Sequence, residues 1–336
     1  MNNKALIEIL KSRKKPVITV FGDFCIDKYL YIDGALDEIS LETGLTAYQV
    51  VKKKIYAGAG GTIVNNLCSL GAKVYCVGIL GEDGDGYELE KCLKEVGADT
   101  SFMIHTEKRY TCAYEKPIRL EKDSEHEMNR IDIKNFSKTP MALQEKLIEN
   151  IKAVAELSDG VIICDQFEEE DFAAVTSHIR KFLGNLARIY SSVVFYVDSR
   201  RYIDRFNNSI LKCNEKEISK IFGIDAQVID GDTALKYAEL LYKKKHMPIY
   251  VTLGEYGSVL FDGNSHKIPP FPVKGPIDIV GAGDAFNAGA VFALTKGATY
   301  EEAAYVGSAA SSIVIKQLKV TGTANLEDII ILLKNM

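Results

Sequence analysis

Short apolar runs rich in β-branched residues alternate with longer stretches of helical periodicity. This alternation restricts the fold more than any other feature of the chain. The runs are Pro16–Phe21 (PVITVF), Lys73–Ile79, Gly160–Cys164, Val193–Val197 (VVFYV), Ile210–Lys212 and Ile249–Leu253. Between them lie helical patterns near 62–70, 85–96, 141–157, 168–182, 214–221 and 232–244. Strands apolar on both faces and separated by helices predict an α/β chain. The expected core is a doubly wound, mostly parallel sheet with helices on both faces. A hairpin over 250–262 and helices at 283–296, 300–317 and about 325–335 follow. Two segments break the rhythm. Residues 28–56, with the strand-like Thr46–Tyr56, and residues 100–132, with Tyr110–Glu115 and Met128–Ile133, are expected to supply one small β lid. No repeat and no Pro/Ser-rich linker separates them, so residues 1–336 read as one domain carrying an inserted lid.

Composition removes several classes of function. Of 336 residues 47% are hydrophobic, too many for disorder. The charge balance, 41 − 46 = −5, argues against general nucleic-acid or anionic-membrane binding, while leaving room for a local phosphate pocket. Cysteines 25, 68, 76, 92, 112, 164 and 213 form no C-x-x-C pair, and most sit among apolar neighbours, which suits buried thiols in a reducing compartment. Residues 1–15 read as a short amphipathic helix without a signal-peptide core, and no apolar run approaches a membrane span. A cytoplasmic location is expected. The P-loop motif, a complete G-x-G-x-x-G, H-E-x-x-H and G-x-S-x-G are all absent, and the five histidines lack ligand spacing.

The segment Asp278-Ile-Val-Gly-Ala-Gly-Asp284-Ala-Phe-Asn leads into the helical pattern at 283–296. Small residues ahead of a helix leave backbone N–H groups unshielded, and with the helix dipole they form a site for a phosphate oxyanion. Asp284, at the same helix start, can accept a proton from an attacking hydroxyl. Taken alone, the pattern equally suits an Asp helix cap after a glycine loop.

Taken with the rest of the chain, the sequence resembles the PfkB/ribokinase family of sugar kinases. Gly281, Ala282, Gly283 and Asp284 look like that family's C-terminal signature, which implies an anion hole and a catalytic base. Phe21-Gly-Asp23-Phe-Cys-Ile-Asp27 is similar to its first-strand G-D-x-x-x-D segment. Gly58-Ala-Gly60-Gly61, followed by Asn65-Asn66-Leu-Cys-Ser-Leu-Gly71, resembles its glycine-rich sugar-side motif. Gly78-Ile-Leu-Gly81-Glu-Asp83-Gly-Asp-Gly86 matches a further turn, Asn214-Glu-Lys-Glu217 an N-x-x-E motif, and Val251-Thr-Leu-Gly-Glu-Tyr-Gly-Ser258 a nucleotide-side strand and turn. Six motifs in order are specific where any one is weak. Within the family, Gly22–Tyr29, Asp198-Ser-Arg-Arg and the tail from Ala309 to Thr323 are most similar to heptose-phosphate kinases of the ADP-heptose pathway. Two departures stand out. Thr62 replaces the Asn that closes the glycine motif, and Cys112 and Tyr114 stand where those kinases carry Lys and Arg; Lys116 or Arg119 are the available substitutes.

Each candidate has two readings. Asp27 and Asp23 follow a buried strand, where carboxylates facing the crevice bind sugar hydroxyls; both also suit turns. Gly58, Gly60 and Gly61, with Asn65, let backbone approach a sugar or make a tight turn. Asn214 and Glu217, at i and i+3, can hold Mg2+ through water or form a capping box. For Thr252, Gly254 and Gly257 the resemblance implies nucleotide contacts, while the residues alone suit a plain hairpin. The resemblance also implies a monovalent-cation region, such as K+, near Asp278. Arg200 and Arg201 either meet phosphate or are solvated, and the lysine runs 52–54 and 243–245 read as solvated faces. The expected function is an ATP- and Mg2+-dependent kinase acting on a sugar or sugar phosphate, with a homodimer through the lid. The alternatives are a nucleoside or vitamin-precursor kinase of the same fold and a non-catalytic sugar- or nucleotide-binding regulator.

Overall fold

The computed structural model describes residues 2–122, 124–225 and 229–336. Its main sheet has eight strands in the order Ser265–Ile268, Ser258–Phe261, Ile249–Thr252, Ile210–Asn214, Val194–Ser199, Gly160–Asp165, Val17–Gly22 and Lys73–Val77. All strands from Ile249–Thr252 to Lys73–Val77 pair in parallel, and the two at the other edge are antiparallel. The sheet divides the core. Ile18, Val20, Ile162 and Cys164 pack on one side, against the helices Gly60–Ser69, Ala282–Thr295 and Tyr300–Val314. Phe21, Val161, Ile163 and Val197 pack on the other, against Met141–Ala155, Ser177–Ile189 and Gly231–Lys245. Every residue of Gly160–Asp165 is buried, which is why these strands read as apolar runs rather than alternating ones.

The helix Ala282–Thr295 lies at the centre of the molecule, and ten of its residues are buried. It touches the next helix closely enough that a Cβ on Gly307 would fall 2.8 Å from the Phe286 carbonyl oxygen. Ser311 Oγ donates to the Ala282 carbonyl at 2.7 Å, fixing the start of the helix on its neighbour. A helix apolar on all sides cannot shift without opening the core, so its first turn is rigidly placed.

A second sheet joins Glu125–Glu127, Cys112–Leu120, Phe24–Asp33 and Val50–Ala59, with Ile131–Ile133 also on Cys112–Leu120. Phe24–Asp33 runs parallel to Cys112–Leu120 and antiparallel to Val50–Ala59. The register lines up Cys25, Cys112 and Gly58, then Asp27, Tyr114 and Tyr56, then Tyr29, Lys116 and Lys54 on one face. All seven cysteines are free thiols.

Three expectations are corrected. The helix read at 168–182 lies at Ser177–Ile189. Asp23 instead holds residues 166–176 as a loop by accepting from the N–H groups of Gln166 and Ala174, and Thr176 caps the later start by accepting from Ile179 N–H at 3.2 Å. Gly60 and Gly61 open the helix Gly60–Ser69 rather than preceding it. Asp27 does not lie beyond the edge of the parallel sheet but within the strand Phe24–Asp33 of the second one. The chain passes between sheets at Gly22, whose φ of 131° and whose missing Cβ, 2.1 Å from the Cys164 carbonyl oxygen, admit no other residue without strain. A third antiparallel strand, Ser265–Ile268, extends the expected hairpin.

Candidate active site

The main sheet's strand order reverses around Val17–Gly22, and ligands of such sheets bind outside the carboxyl ends of the strands at that reversal. Acids collect there. Asp23, Asp165 and Asp198 close or follow three neighbouring strands, and all three are buried.

Gly281 precedes the central helix in a left-handed conformation, φ 79° and ψ 0°, and no side chain caps that helix. Asp284 sits in its first turn. The capping reading of this Asp is therefore set aside. Its carboxyl faces the site, half-buried, and burial followed by the nearby Asp198 charge pushes its pKa up to about 7, against Lys212 and Arg200. Thr62 is buried beneath the same turn: a Cβ on Gly281 would lie 3.3 Å from its Cγ2. Its hydroxyl donates to the Ala57 carbonyl at 3.3 Å, so at the position of the departed Asn this chain places an internally bonded, mostly apolar group.

Behind the first turn runs a buried polar chain. Lys212 Nζ pairs with Asp198 Oδ2 at 3.1 Å. Asn287 Nδ2 donates to the same oxygen at 2.5 Å, and Tyr196 Oη donates to Asn287 Oδ1 at 3.2 Å. Burial opposes the Lys212 charge, but Asp198, Glu217 and Asp284 hold its pKa above the ordinary lysine value. Sequence reasoning missed Lys212 and Asn287. The available signal was a lone charge in the strand Ile210-Leu-Lys-Cys and a lone carboxamide in an apolar helix.

Asn214 and Glu217 form a full capping box. Asn214 Oδ1 accepts from Glu217 N–H at 2.9 Å, and Glu217 Oε2 accepts from Asn214 N–H at 2.8 Å. Burial, then the Asp198 charge, raises the Glu217 pKa to about 7, against Lys212 and Arg200. Thr252 pairs with Asn214 across the sheet. Gly254 (φ 56°) and Gly257 (φ 85°) shape the turn that follows.

On the second sheet, Asp27 Oδ1 pairs with Lys116 Nζ at 2.8 Å, and Lys116 also reaches Tyr29 Oη at 3.2 Å. A Cβ on Gly58 would fall 2.6 Å from Asp27 Oδ2, so glycine there leaves the carboxylate room. Lys116 is thus the cation that lies with Asp27. Arg119, on the other face, pairs with Asp37 at 2.6 Å. Arg200 lies near Asp23, Glu217 and Asp284, whose pKa values its charge lowers, while Arg201 turns to the Glu168 carbonyl at 3.4 Å.

Other candidates take different places. Asp23 accepts from the N–H groups of Gln166 at 2.8 Å and Ala174 at 3.0 Å, so both its oxygens tie down the 166–176 loop. Burial nonetheless lifts its pKa to about 6. Asp278 accepts from Val280 N–H at 3.1 Å and Lys319 N–H at 3.3 Å, ordering the loop before Gly281. The Asn65 carboxamide oxygen is buried and has no hydrogen-bond partner among the described residues. Its neighbour Asn66 accepts from Ala324 N–H at 3.0 Å, holding the tail.

Comparison with known proteins bears on the family and the fold. The chain is 30% identical over 318 residues to the bifunctional protein HldE of Nitratiruptor sp., covering 94% of this chain and 64% of that one. It is 29% identical to HldE of Sulfurimonas denitrificans, covering 93% and 63%. The chain therefore spans just under two thirds of the length of these relatives. Arabidopsis thaliana ribokinase complexed with ribose and ATP superposes with a TM-score of 0.69 at 20% identity, over 96% of this chain and 99% of that one. Escherichia coli phosphofructokinase-2 in complex with potassium gives 0.75 at 17% identity, over 96% and 99%. At such identity these two establish a ribokinase-like fold. The model of the pfkB family carbohydrate kinases matches residues 17–326, so the helix start carrying Asp284 and the sheet carrying Asp27 are parts of one matched unit, and the chain belongs to that family of sugar kinases.

Proposed function

We propose that the protein transfers the γ-phosphate of ATP to a hydroxyl of a sugar phosphate, with Asp284 as the base. The observation that carries this reading is the uncapped first turn at Gly281–Gly283 with the Asp284 carboxyl beside it. The N–H groups of that turn hold the charge that develops on the transferring phosphoryl, in a geometry fixed before reaction. Asp284, with a pKa near 7, accepts the acceptor's proton at neutral pH. Asp27 orients the acceptor through its hydroxyls. Lys116 beside it, and Arg200 near Glu217 and Asp284, favour an acceptor that already carries phosphate. Thr252, Gly254 and Gly257 line the nucleotide side.

Among the described residues no group of three or more His, Cys, Asp or Glu is arranged to hold a metal ion. Asn214 and Glu217, oxygen donors at one helix start, would hold Mg2+ through water. Bound there, Mg2+ neutralises phosphate charge. Asp278 orders the loop whose carbonyls would hold a monovalent cation such as K+. The second sheet acts as a lid that keeps water from the phosphoryl group. Among the described residues no helix is long and apolar enough to cross a membrane.

The test is ADP release with heptose 7-phosphate, unphosphorylated heptose, ribose, fructose and a nucleoside as acceptors. Phosphorylated sugar is expected to lead the panel. Asp284→Asn is expected to bind ATP and to lose turnover by several orders of magnitude; near-wild-type turnover in that variant sinks the mechanism.

A further inference from the structure

The amides of a helix start are the usual means of holding a phosphoryl group, and they are neutral. In this chain a full positive charge lies beside them. A Cβ built on Gly283 would lie 3.3 Å from Lys212 Nζ, the one atom within 4 Å among the described residues apart from its chain neighbours and its own helix backbone. In a helix every Cα–Cβ bond tilts toward the N-terminus, the same direction in which the first-turn N–H groups point. The Lys212 ammonium therefore lies on the phosphate side of Gly283.

Its position is over-determined. The side chain rises from the buried strand Ile210–Asn214, and Asp198 holds its end at 3.1 Å. Asn287, from the central helix itself, donates to the same Asp198 oxygen, so the helix that offers the amides also fixes the partner of the ammonium. Tyr196 completes the chain on Asn287. Among the described residues the ammonium donates once, to Asp198, and an ammonium has three donors, leaving hydrogens for a further acceptor.

We propose that Lys212 is a catalytic residue of the phosphoryl transfer, its ammonium contacting an oxygen of the transferring group together with the Gly283 amide, and that Asp198 and Asn287 are its positioning residues. This rests on the kinase reading above. In the step, the acceptor oxygen–phosphorus bond forms, the bond from the γ-phosphorus to the bridging oxygen of ADP breaks, and the acceptor proton passes to Asp284. Lys212 keeps its own proton throughout and supplies charge alone. The burial that makes an isolated ammonium costly makes its attraction to phosphate oxygens strong.

The test compares binding of MgADP with binding of MgADP plus aluminium fluoride, which mimics the transferring phosphoryl, in the wild type, Lys212→Met and Lys212→Arg. Turnover is measured on the best acceptor of the panel. The wild type is expected to bind the fluoride complex far more tightly than MgADP. Lys212→Met is expected to keep MgADP affinity within about threefold, to lose at least thirtyfold of the fluoride gain and to fall about a hundredfold in kcat with KM for ATP little changed; Lys212→Arg regains part of both. Should Lys212→Met fail to fold because Asp198 is left unpaired, the Lys212→Met/Asp198→Asn pair carries the same expectation. A fluoride gain or kcat near wild type in a folded variant overturns the proposal. A wild type with neither fluoride gain nor turnover overturns the kinase reading, and this inference with it.

Discussion

Replacing Asp284 with Asn should stabilise the protein while it removes the reaction. Raising a carboxyl pKa from the ordinary 3.8 to about 7 means that the folded state disfavours the ionised form. At about 1.4 kcal/mol per pKa unit, the ceiling on that cost is about 4 kcal/mol. Asp284 is only half-buried and water reaches it, so about 1–2 kcal/mol is the expected gain from a neutral isostere. Unfolding entropy of about 2.1 cal/mol/K per residue makes each kcal/mol worth about 1.5 °C in a chain this long, giving a rise of about 1.5–3 °C. The sign follows from linkage. Between pH 4 and pH 7 the folded protein binds the proton that the unfolded chain has lost, so the cost of Asp284 is absent near pH 4 and complete above pH 7. Thermal melts of wild type and Asp284→Asn at pH 8 and at pH 4.5 decide the matter. The gain should appear in full at pH 8 and be clearly smaller at pH 4.5. An unchanged or lower Tm at pH 8, or an equal gain at both values, refutes the reasoning.

Further outcomes follow from the same contacts. Lys116→Met should raise KM for heptose 7-phosphate tenfold or more and affect unphosphorylated heptose less; equal effects on both acceptors would remove Lys116 from phosphate recognition. Gly22→Ala places a methyl 2.1 Å from the Cys164 carbonyl oxygen at φ 131° and should cost about 3 kcal/mol or more, read as a lowered urea midpoint. Leu41, Leu45, Val50 and Val51 are exposed beside the strand Val50–Ala59, which among the described residues is an edge of the second sheet, so the chain should sediment as a homodimer, and Val51→Lys should yield monomers.

How much of this was legible in the sequence depends on which interactions fix each part. The parallel strands were legible because burial on both faces forces apolar runs, as in Val161-Ile-Ile-Cys164. The helix start at Gly281–Asp284 was legible because its chemistry is local: small residues, then an acid, then a helix. The loop 166–176 was not. It is held by Asp23 and by the Arg109 guanidinium on the Phe172 carbonyl, partners far away in the chain, and no local pattern distinguishes its acidic run from an exposed helical face. The same reason hid Lys212 and Asn287, each of which looks like an isolated misfit until the fold sets both against Asp198. It also blurred Asp23 and Asp27. Four residues apart, they share one sequence motif, yet the turn at Gly22 sends the first into the backbone of a loop and the second, across Lys116, onto the face of another sheet. A motif thus pointed to the candidate site, while the contacts of each residue within it are set by long-range partners. The buried ammonium beside Gly283 is the part that no motif contained.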